Sequence, residues 1–361
     1  MRLDRALHPV AWWLWAIALA TAASQTSNPL LLLLIFAVLG LVVTARRANA
    51  PWARAFHYYL IMALIIIAIR VVFRSVFATG ITADDHILFT LPQVRLPEWY
   101  AGIQIGGPVS LQATLSAVID GMRLACLLCC IGAANSLANP KRALRVLPGA
   151  LYELGVAVTV ALSVAPQLVE SVQRVARARK LRAGRRRGLR AFRSIALPVL
   201  HDALDRSLKL AAAMDSRGYG RTGAATPRSR RLTGALMLAG MAGLCVGAYG
   251  LLDPSVPRAA GITGFAAGIA CSAAGLALGS RRVSRTQYRP DPWRWPEWTV
   301  AGCGVVTAVV LSLGLGYDPA ALNPVLYPLQ WPDLPLLPTV AILLAGAAAF
   351  ASPPPPAGAR A

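Results

Sequence analysis

Charge is scarce in this sequence: Asp, Glu, Lys and Arg make up 14% of its 361 residues, against roughly a quarter in soluble domains. That shortage excludes an ordinary water-facing globule. Acidic residues are scarcest, 15 against 36 Lys plus Arg. Histidine is rare too. His8, His57, His86 and His201 are scattered, and neither an HExxH nor a GxSxG context surrounds any candidate nucleophile or base, which argues against a membrane-embedded enzyme. No Gly-x-x-x-x-Gly-Lys-(Ser/Thr) phosphate loop occurs, so ATP, where it is needed, must be handled by another chain. The six cysteines all lie in apolar segments. Cys126, Cys129 and Cys130 have a metal-like spacing, but no histidine or second cysteine pair accompanies them; packing inside a helix accounts for them better than metal ligation or disulfides. Inverted repeats of broken helices, expected of an autonomous secondary transporter, are also missing. The first apolar run lacks the features of a cleaved leader: Thr21–Asn28 leads straight into another apolar run, as the first hairpin of a bundle would.

What is abundant is apolar sequence, 56% of the chain. Trp12–Ala23, Leu30–Val43, Tyr58–Ile69 and Leu232–Leu252 are long and nearly uncharged, as membrane-spanning helices of about 20 residues require. Eight candidate spans follow, near 9–24, 29–44, 57–78, 109–136, 232–252, 259–279, 297–316 and 335–351, the last interrupted by Pro335 and Pro338. The net charge of +21 is not the footprint of a nucleic-acid protein. The arginines sit between apolar runs, where the positive-inside rule places them in the cytoplasm, and aromatic residues are not interleaved with them as a stacking platform needs. Arg46, Arg47 and Arg54, then Lys141, Arg142 and Arg145, then Arg281, Arg282, Arg285 and Arg289 mark cytoplasmic connections. The segment 79–108, with Asp84, Asp85 and Glu98 against Arg95, faces outward. One topology satisfies every loop, with both termini in the cytoplasm of a multi-pass protein of the cell membrane.

A long stretch from about Asn139 to Arg231 breaks the pattern. Between 174 and 231 it holds seventeen lysines and arginines, opposed by Asp202, Asp205 and Asp215. Its periodicity predicts two amphipathic helices. Ala161, Ala165, Leu168, Val172 and Val175 form one apolar face, closed by Gly184 and Gly188; Leu197, Leu200, Leu204, Leu208 and Ala211 form the other, stopped by Gly218 and Gly220. The i,i+4 pairs Asp202–Arg206 and Asp205–Lys209 belong to the polar, solvated side of the second helix. Gly149–Ala165 is apolar enough to dip into the membrane or lie along it.

The two helices end alike. Ala178-Arg-Lys-Leu-Arg182-Ala183 and Ala213-Met-Asp-Ser216-Arg217-Gly218 both read Ala-x-x-x-Arg-(Ala/Gly). An arginine at a helix C-terminus is favoured by the helix dipole, and small neighbours leave its guanidinium free to dock. The segment Ala-Met-Asp-Ser-Arg-Gly-Tyr-Gly at 213–220 resembles the second coupling motif of the T-component (EcfT/CbiQ) family of energy-coupling-factor transporters, and 178–183 resembles the first. Ala-Pro-Gln-Leu-Val-Glu-Ser-Val at 165–172, Asp-Ala-Leu-Asp-Arg-Ser-Leu at 202–208 and the order of spans agree, over roughly residues 5–280.

The resemblance implies an all-α membrane protein, a bundle of about six to eight spanning helices with two cytoplasmic coupling helices. It implies that Arg182 and Arg217 dock into two ABC-type ATPases, with Ala178, Ala183, Ala213, Ser216 and Gly218 permitting close approach. Ala183 stands where glycine is common and Ser216 where alanine is; both are small. A separate substrate-binding membrane component (S-component) would complete a transporter for vitamin or cobalt uptake. This chain would be a non-catalytic subunit with no cofactor of its own, ATP and Mg residing on the ATPases. The expected divisions are N-terminal membrane helices (1–138), a coupling region (139–231), further family-core helices (232–280), added C-terminal helices (281–351) and a proline-rich disordered tail (352–361). Within the spans, Asp120 is expected to pair with Arg123 or Arg70, since an isolated charge there is costly.

Overall fold

The computed structural model describes residues 6–47, 55–77, 86–95, 104–146, 149–181, 189–219, 227–253, 255–280, 291–314, 317–325 and 331–353. In chain order the elements are α1 (Pro9–Gln25), α2 (Pro29–Arg46), α3 (Ala55–Val76), β1 (Ile87–Arg95), β2 (Gln104–Ser110), α4 (Leu111–Leu137), α5 (Pro140–Arg145), α6 (Tyr152–Leu181), α7 (Leu189–Asp215), α8 (Pro227–Leu252), α9 (Arg258–Ser280), α10 (Trp295–Leu313), α11 (Leu336–Ala345) and α12 (Ala348–Ala351). The described helices include seven long and apolar enough to cross a membrane. They are α2, α3, α4, α6, α8, α9 and α10; α6 was expected as an amphipathic helix outside the spans, while the expected spans near 9–24 and 335–351 are occupied by shorter helices. The chain forms two compact units, residues 1–143 with 291–361, and residues 144–290.

In the first unit α1 and α2 start by the same device. His8 Nδ1 accepts from the Val10 amide at 3.3 Å and Asn28 Oδ1 from the Leu30 amide at 3.0 Å, each followed by a proline at the first helical position. Proline sacrifices no hydrogen bond there, and the side chain satisfies an orphaned amide. Trp15, Leu19, Leu31, Leu32, Ile35 and Leu39 are fully buried. Much of what buries them comes from the far end of the sequence. Helices α10 and α11 pack on α1 and α2, and Val300 and Ile342 join the same core.

Polar bonds fasten that packing. Trp15 Nε1 donates to the Ala345 carbonyl at 3.1 Å, and Thr307 Oγ1 donates to Ala341 O at 2.6 Å. Asn28 Nδ2 donates to Ala321 O and Asp333 O at 3.1 and 2.8 Å, and Thr26 Oγ1 to Leu322 O at 2.8 Å. Interhelical bonds of this kind contribute about 0.5–2 kcal/mol each in a bilayer. At Gly304 a Cβ would fall 2.9 Å from Trp15 Cα, so glycine sets the α1–α10 approach. The C-terminal helices are thus part of the first unit's core.

Helix α3 leans on α4 through small residues. A Cβ on Gly132 would meet the Tyr59 ring at 2.5 Å, one on Gly121 would meet Ile67 Cα at 3.0 Å, and Asn135 Nδ2 donates to Tyr59 Oη at 2.9 Å. The other side of α3 bears exposed Tyr58, Leu64 and Phe73, a surface suited to lipid. Gly121 faces α3, and the neighbouring Asp120 is exposed. Among the described residues no ion pair joins Asp120 to Arg70 or Arg123, which corrects the pairing expected from sequence. Arg70 is exposed and Arg123 half-buried. Cys126, Cys129 and Cys130 are buried on α4, and among the described residues no group of three His, Cys, Asp or Glu could hold a metal ion.

Segment 79–108 holds a further departure. Strands β1 and β2 form an antiparallel hairpin running from the pair Ile87–Ser110 to Arg95–Gln104, with two irregularities in register. Gly106 and Gly107 take positive φ, 84° and 124°, which a β-branched residue could not adopt cheaply. Ser110 closes the hairpin and caps α4, its Oγ accepting from the Ala113 amide at 3.2 Å.

In the second unit α8 and α9 form an antiparallel hairpin held by glycines. A Cβ on Gly247 would lie 2.3 Å from Phe265 N, one on Gly268 2.5 Å from Leu244 N, and one on Gly240 2.3 Å from Ser272 Oγ. Gly240, Gly243, Gly247 and Gly250 on α8 thus meet Gly261, Gly264 and Gly268 on α9 at three- and four-residue steps. In lipid, helices gain nothing from hydrophobic burial against each other, and small residues that let backbones touch supply the association instead. The outward faces carry exposed Leu238, Met241, Val246, Ile262 and Ile269.

Candidate functional site

Helices α6 and α7 carry the two arginine motifs, and both belong to the second unit. They run antiparallel. Ser171, midway along α6, lies opposite Asp202 of α7, its Oγ donating to Asp202 Oδ2 at 2.8 Å. At the start of α6 the Tyr152 ring stacks on Tyr219, which follows α7, with centroids 5.9 Å apart and planes 23° from parallel. The C-terminal end of each helix therefore lies beside the N-terminal end of the other. At 1.5 Å per residue, Tyr152 to Leu181 spans about 43 Å, and this length separates the two motif-bearing ends.

The packed face of α7 differs from the amphipathic expectation. Val199 is buried, and Asp202 and Arg206 are half-buried towards α6, where Ser171 is 3% exposed. Arg206 Nη2 bonds Asp202 Oδ2 at 2.8 Å and its Nε bonds Oδ1 at 3.2 Å. The Ser171–Asp202 bond joins the two helices and Arg206 braces Asp202 from within α7, where a solvated face was expected. The leucine stripe points away: Leu197, Leu200, Leu204 and Leu208 are 63, 58, 54 and 68% exposed. Asp205 lies 3.8 Å from His201 Nε2. Ser171 was not singled out by periodicity; its place three residues after Leu168 and four before Val175 is the signal that could have found it.

The Ser171 hydroxyl holds the Asp202 carboxyl below its usual range; desolvation opposes it, and the charge and hydrogen bond of Arg206 and the charge of Arg174 add smaller lowering effects. A depressed carboxylate stabilises the fold above its unfolded pKa, and that contribution is lost as pH falls through the lower folded value. The α6–α7 contact is therefore expected to hold across neutral pH and loosen only below about pH 4. Spin-label distances between the helices, recorded down the pH scale, should show this, with Ser171→Ala moving the loosening to higher pH. Identical profiles for wild type and Ser171→Ala would rule the contribution out.

The end of α7 is built to present Arg217. The Tyr219 amide donates to Met214 O at 3.0 Å and the Gly218 amide to Asp215 O at 2.8 Å, with Gly218 at φ 73°. This is a Schellman closure, which needs glycine at the left-handed position. It places Arg217, exposed, on the last turn, where the helix's negative end favours a cation. Ala213 and Ser216 are exposed beside it, Ser216 Oγ donating to Ala213 O at 3.0 Å. On α6, Ala178 is exposed and the helix ends at Leu181, 88% exposed; Arg182 and Ala183 lie outside the described residues.

A family model described as cobalt transport protein, CbiQ, matches residues 2–227. The chain belongs to the CbiQ family. No curated protein matches it. The match takes in α1 to α7 with both motifs and stops where α8 begins, so the α8–α9 hairpin and the C-terminal helices of this CbiQ-family chain lie beyond it. Its seven long apolar helices and its family make it a multi-pass membrane protein of a transport system.

Proposed function

We propose that this protein is the transmembrane coupling (T) subunit of an energy-coupling-factor ABC transporter, relaying ATP-driven motion of two cytosolic ATPases to a separate substrate-binding membrane subunit for uptake of a metal ion or vitamin. The observation that carries the reading is the antiparallel α6–α7 pair, with like arginine motifs at ends about 43 Å apart. A single small partner could not engage both ends; two ATPase subunits side by side could. Family membership supports a transport role. ATP and Mg belong to the ATPases in this reading, and the chain is non-catalytic. Both termini and the α6–α7 pair face the cytoplasm, as the arginine-rich connections favour. The exposed leucine stripe of α7 is an apolar face on an otherwise charged helix, a surface for the substrate-binding subunit.

Affinity purification of the tagged chain from its native membrane in mild detergent tests this directly. ABC-type ATPases should co-purify and hydrolyse ATP, together with a small membrane subunit. A chain that purifies alone, with no ATPase activity above background, would end the coupling reading.

A further inference from the structure

Helix α4 packs on three helices of the first unit and is open along one line. It lies against α1, α2 and α3, and Ala117, Gly121, Ala125, Cys129 and Ala133 are buried in those contacts. Its exposed residues are Asp120, Leu124 and Ile131. Steps of four and seven place them in one stripe along the helix.

A carboxylate is out of place in that stripe. At 1.5 Å per residue, Asp120 lies about 13 Å in from Leu111, where α4 begins. Its side chain is too short to climb back to an interface as lysine and arginine do, and a charge left at that depth in lipid is costly. The chain itself does not answer it. A Cβ added to Gly121 would lie 3.5 Å from Arg70 Cβ, so Arg70 of α3 stands at the same level. Arg70 is nonetheless exposed, and among the described residues no ion pair joins the two. Nor is this side closed by other elements. Helix α3 packs chiefly on α4 and buries only Phe56 and Ala63, while α10 and α11 lie instead on α1 and α2.

We propose that the Asp120–Leu124–Ile131 stripe of α4 docks a spanning helix of the substrate-binding subunit, and that this helix carries a basic residue which pairs with Asp120 inside the membrane. Leu124 and Ile131 supply apolar contact. Asp120 supplies the selectivity, because a charge pair formed away from water is not weakened by a high dielectric. Arg70, with a stem long enough to reach the interface, contributes less. The partner's identity rests on the coupling reading; the unanswered charge does not.

The test uses the tagged full-length chain, purified in mild detergent from its native membrane, as wild type, Asp120→Glu, Asp120→Asn and Asp120→Leu. Yield and ATPase recovery should stay within about twofold in all four, while Asp120→Asn and Asp120→Leu lose the small membrane subunit about 10-fold. Asp120→Glu should keep most of it. The recovered subunit should carry a lysine, arginine or histidine within a spanning segment, and changing that residue to aspartate together with Asp120→Lys should restore recovery. Wild-type recovery of the subunit by Asp120→Leu overturns the docking stripe and leaves it to lipid. A subunit with no basic residue in its spans overturns it too, and so does subunit loss in step with yield or ATPase recovery, which marks Asp120 as structural only. Recovery restored by exchanging Arg70→Asp with Asp120→Arg within this chain means an internal pair and also ends the proposal. A wild type that brings down no ATPase ends the coupling reading, and this partner with it, a result distinct from the others.

Discussion

Charge reversal at Arg182 and Arg217 together is expected to strip both ATPases from the complex and abolish uptake, with the chain still inserted in the membrane at normal yield. At Arg217 the argument is geometric. The Schellman closure through Gly218 ends α7 with its last carbonyls and the arginine on one exposed turn. A guanidinium there is favoured by the helix dipole by about 0.3–1 kcal/mol, and a carboxylate is disfavoured by a similar amount. Glutamate also removes up to five donors. In a partner groove that had paired with them, losing one side of a desolvated charge contact costs about 2–5 kcal/mol, or roughly one and a half to three and a half decades of affinity. The two motifs belong to separate helices, so each single variant leaves the other motif intact. Linked sites reinforce each other through effective concentration, so the singles should be much milder than the double. Lysine at either site should fall between, because it keeps charge but loses the planar fork. Uptake and ATPase recovery both normal in the double variant would remove the docking role.

The motif behind this prediction is a local pattern that can be recognised in the sequence without tertiary contacts. Most of the apolar helices were legible for a similar reason: in a bilayer every backbone polar group must be satisfied within its own helix, although length and apolarity also admit α6, which was expected outside the spans. What stayed hidden depends on partners. An apolar stripe on a soluble helix marks the side that packs on its own core, and that rule assigned Asp202 and Arg206 to solvent. In α7 the rule inverts. The chain packs the polar side through Ser171 and leaves Leu197, Leu200, Leu204 and Leu208 open, as expected of a helix whose apolar face belongs to another subunit. The β1–β2 hairpin was hidden by Pro92 and Pro108 and by the glycines at 106 and 107, which read as loop. The place of α10 and α11 against α1 and α2 could not be read either, since Asn28 and Trp15 reach carbonyls some three hundred residues away. Asp120 illustrates the converse. Spacing offered it partners, but it is exposed, and among the described residues no ion pair joins it to Arg70 or Arg123.

Gly247→Leu is expected to open the α8–α9 hairpin, the largest structural effect of any single change in the second unit. A Cβ at this position would fall 2.3 Å from Phe265 N, 2.5 Å from Phe265 Cα and 2.8 Å from Gly264 C. All three are backbone atoms, so no rotamer change relieves the clash and the helices must move apart. Overpacking a well-filled contact costs typically 1–3 kcal/mol, and this one should exceed that range, because separation also ends the close contacts at Gly243, Gly250, Gly261 and Gly268 that hold the pair. A control lies on the same helix. Gly234 has nothing within 4 Å of its added Cβ, so Gly234→Ala should be neutral or stabilising by up to about 1 kcal/mol through helix propensity alone. Thermal unfolding of the detergent-purified chain separates the two cases. A melting temperature much lowered by Gly247→Leu and unchanged or raised by Gly234→Ala is the expected pattern. Equal tolerance of both would mean that α8 and α9 are held by something other than backbone contact at their glycines, and the energetic account of the hairpin would have to move to its loop and its lipid-facing surface.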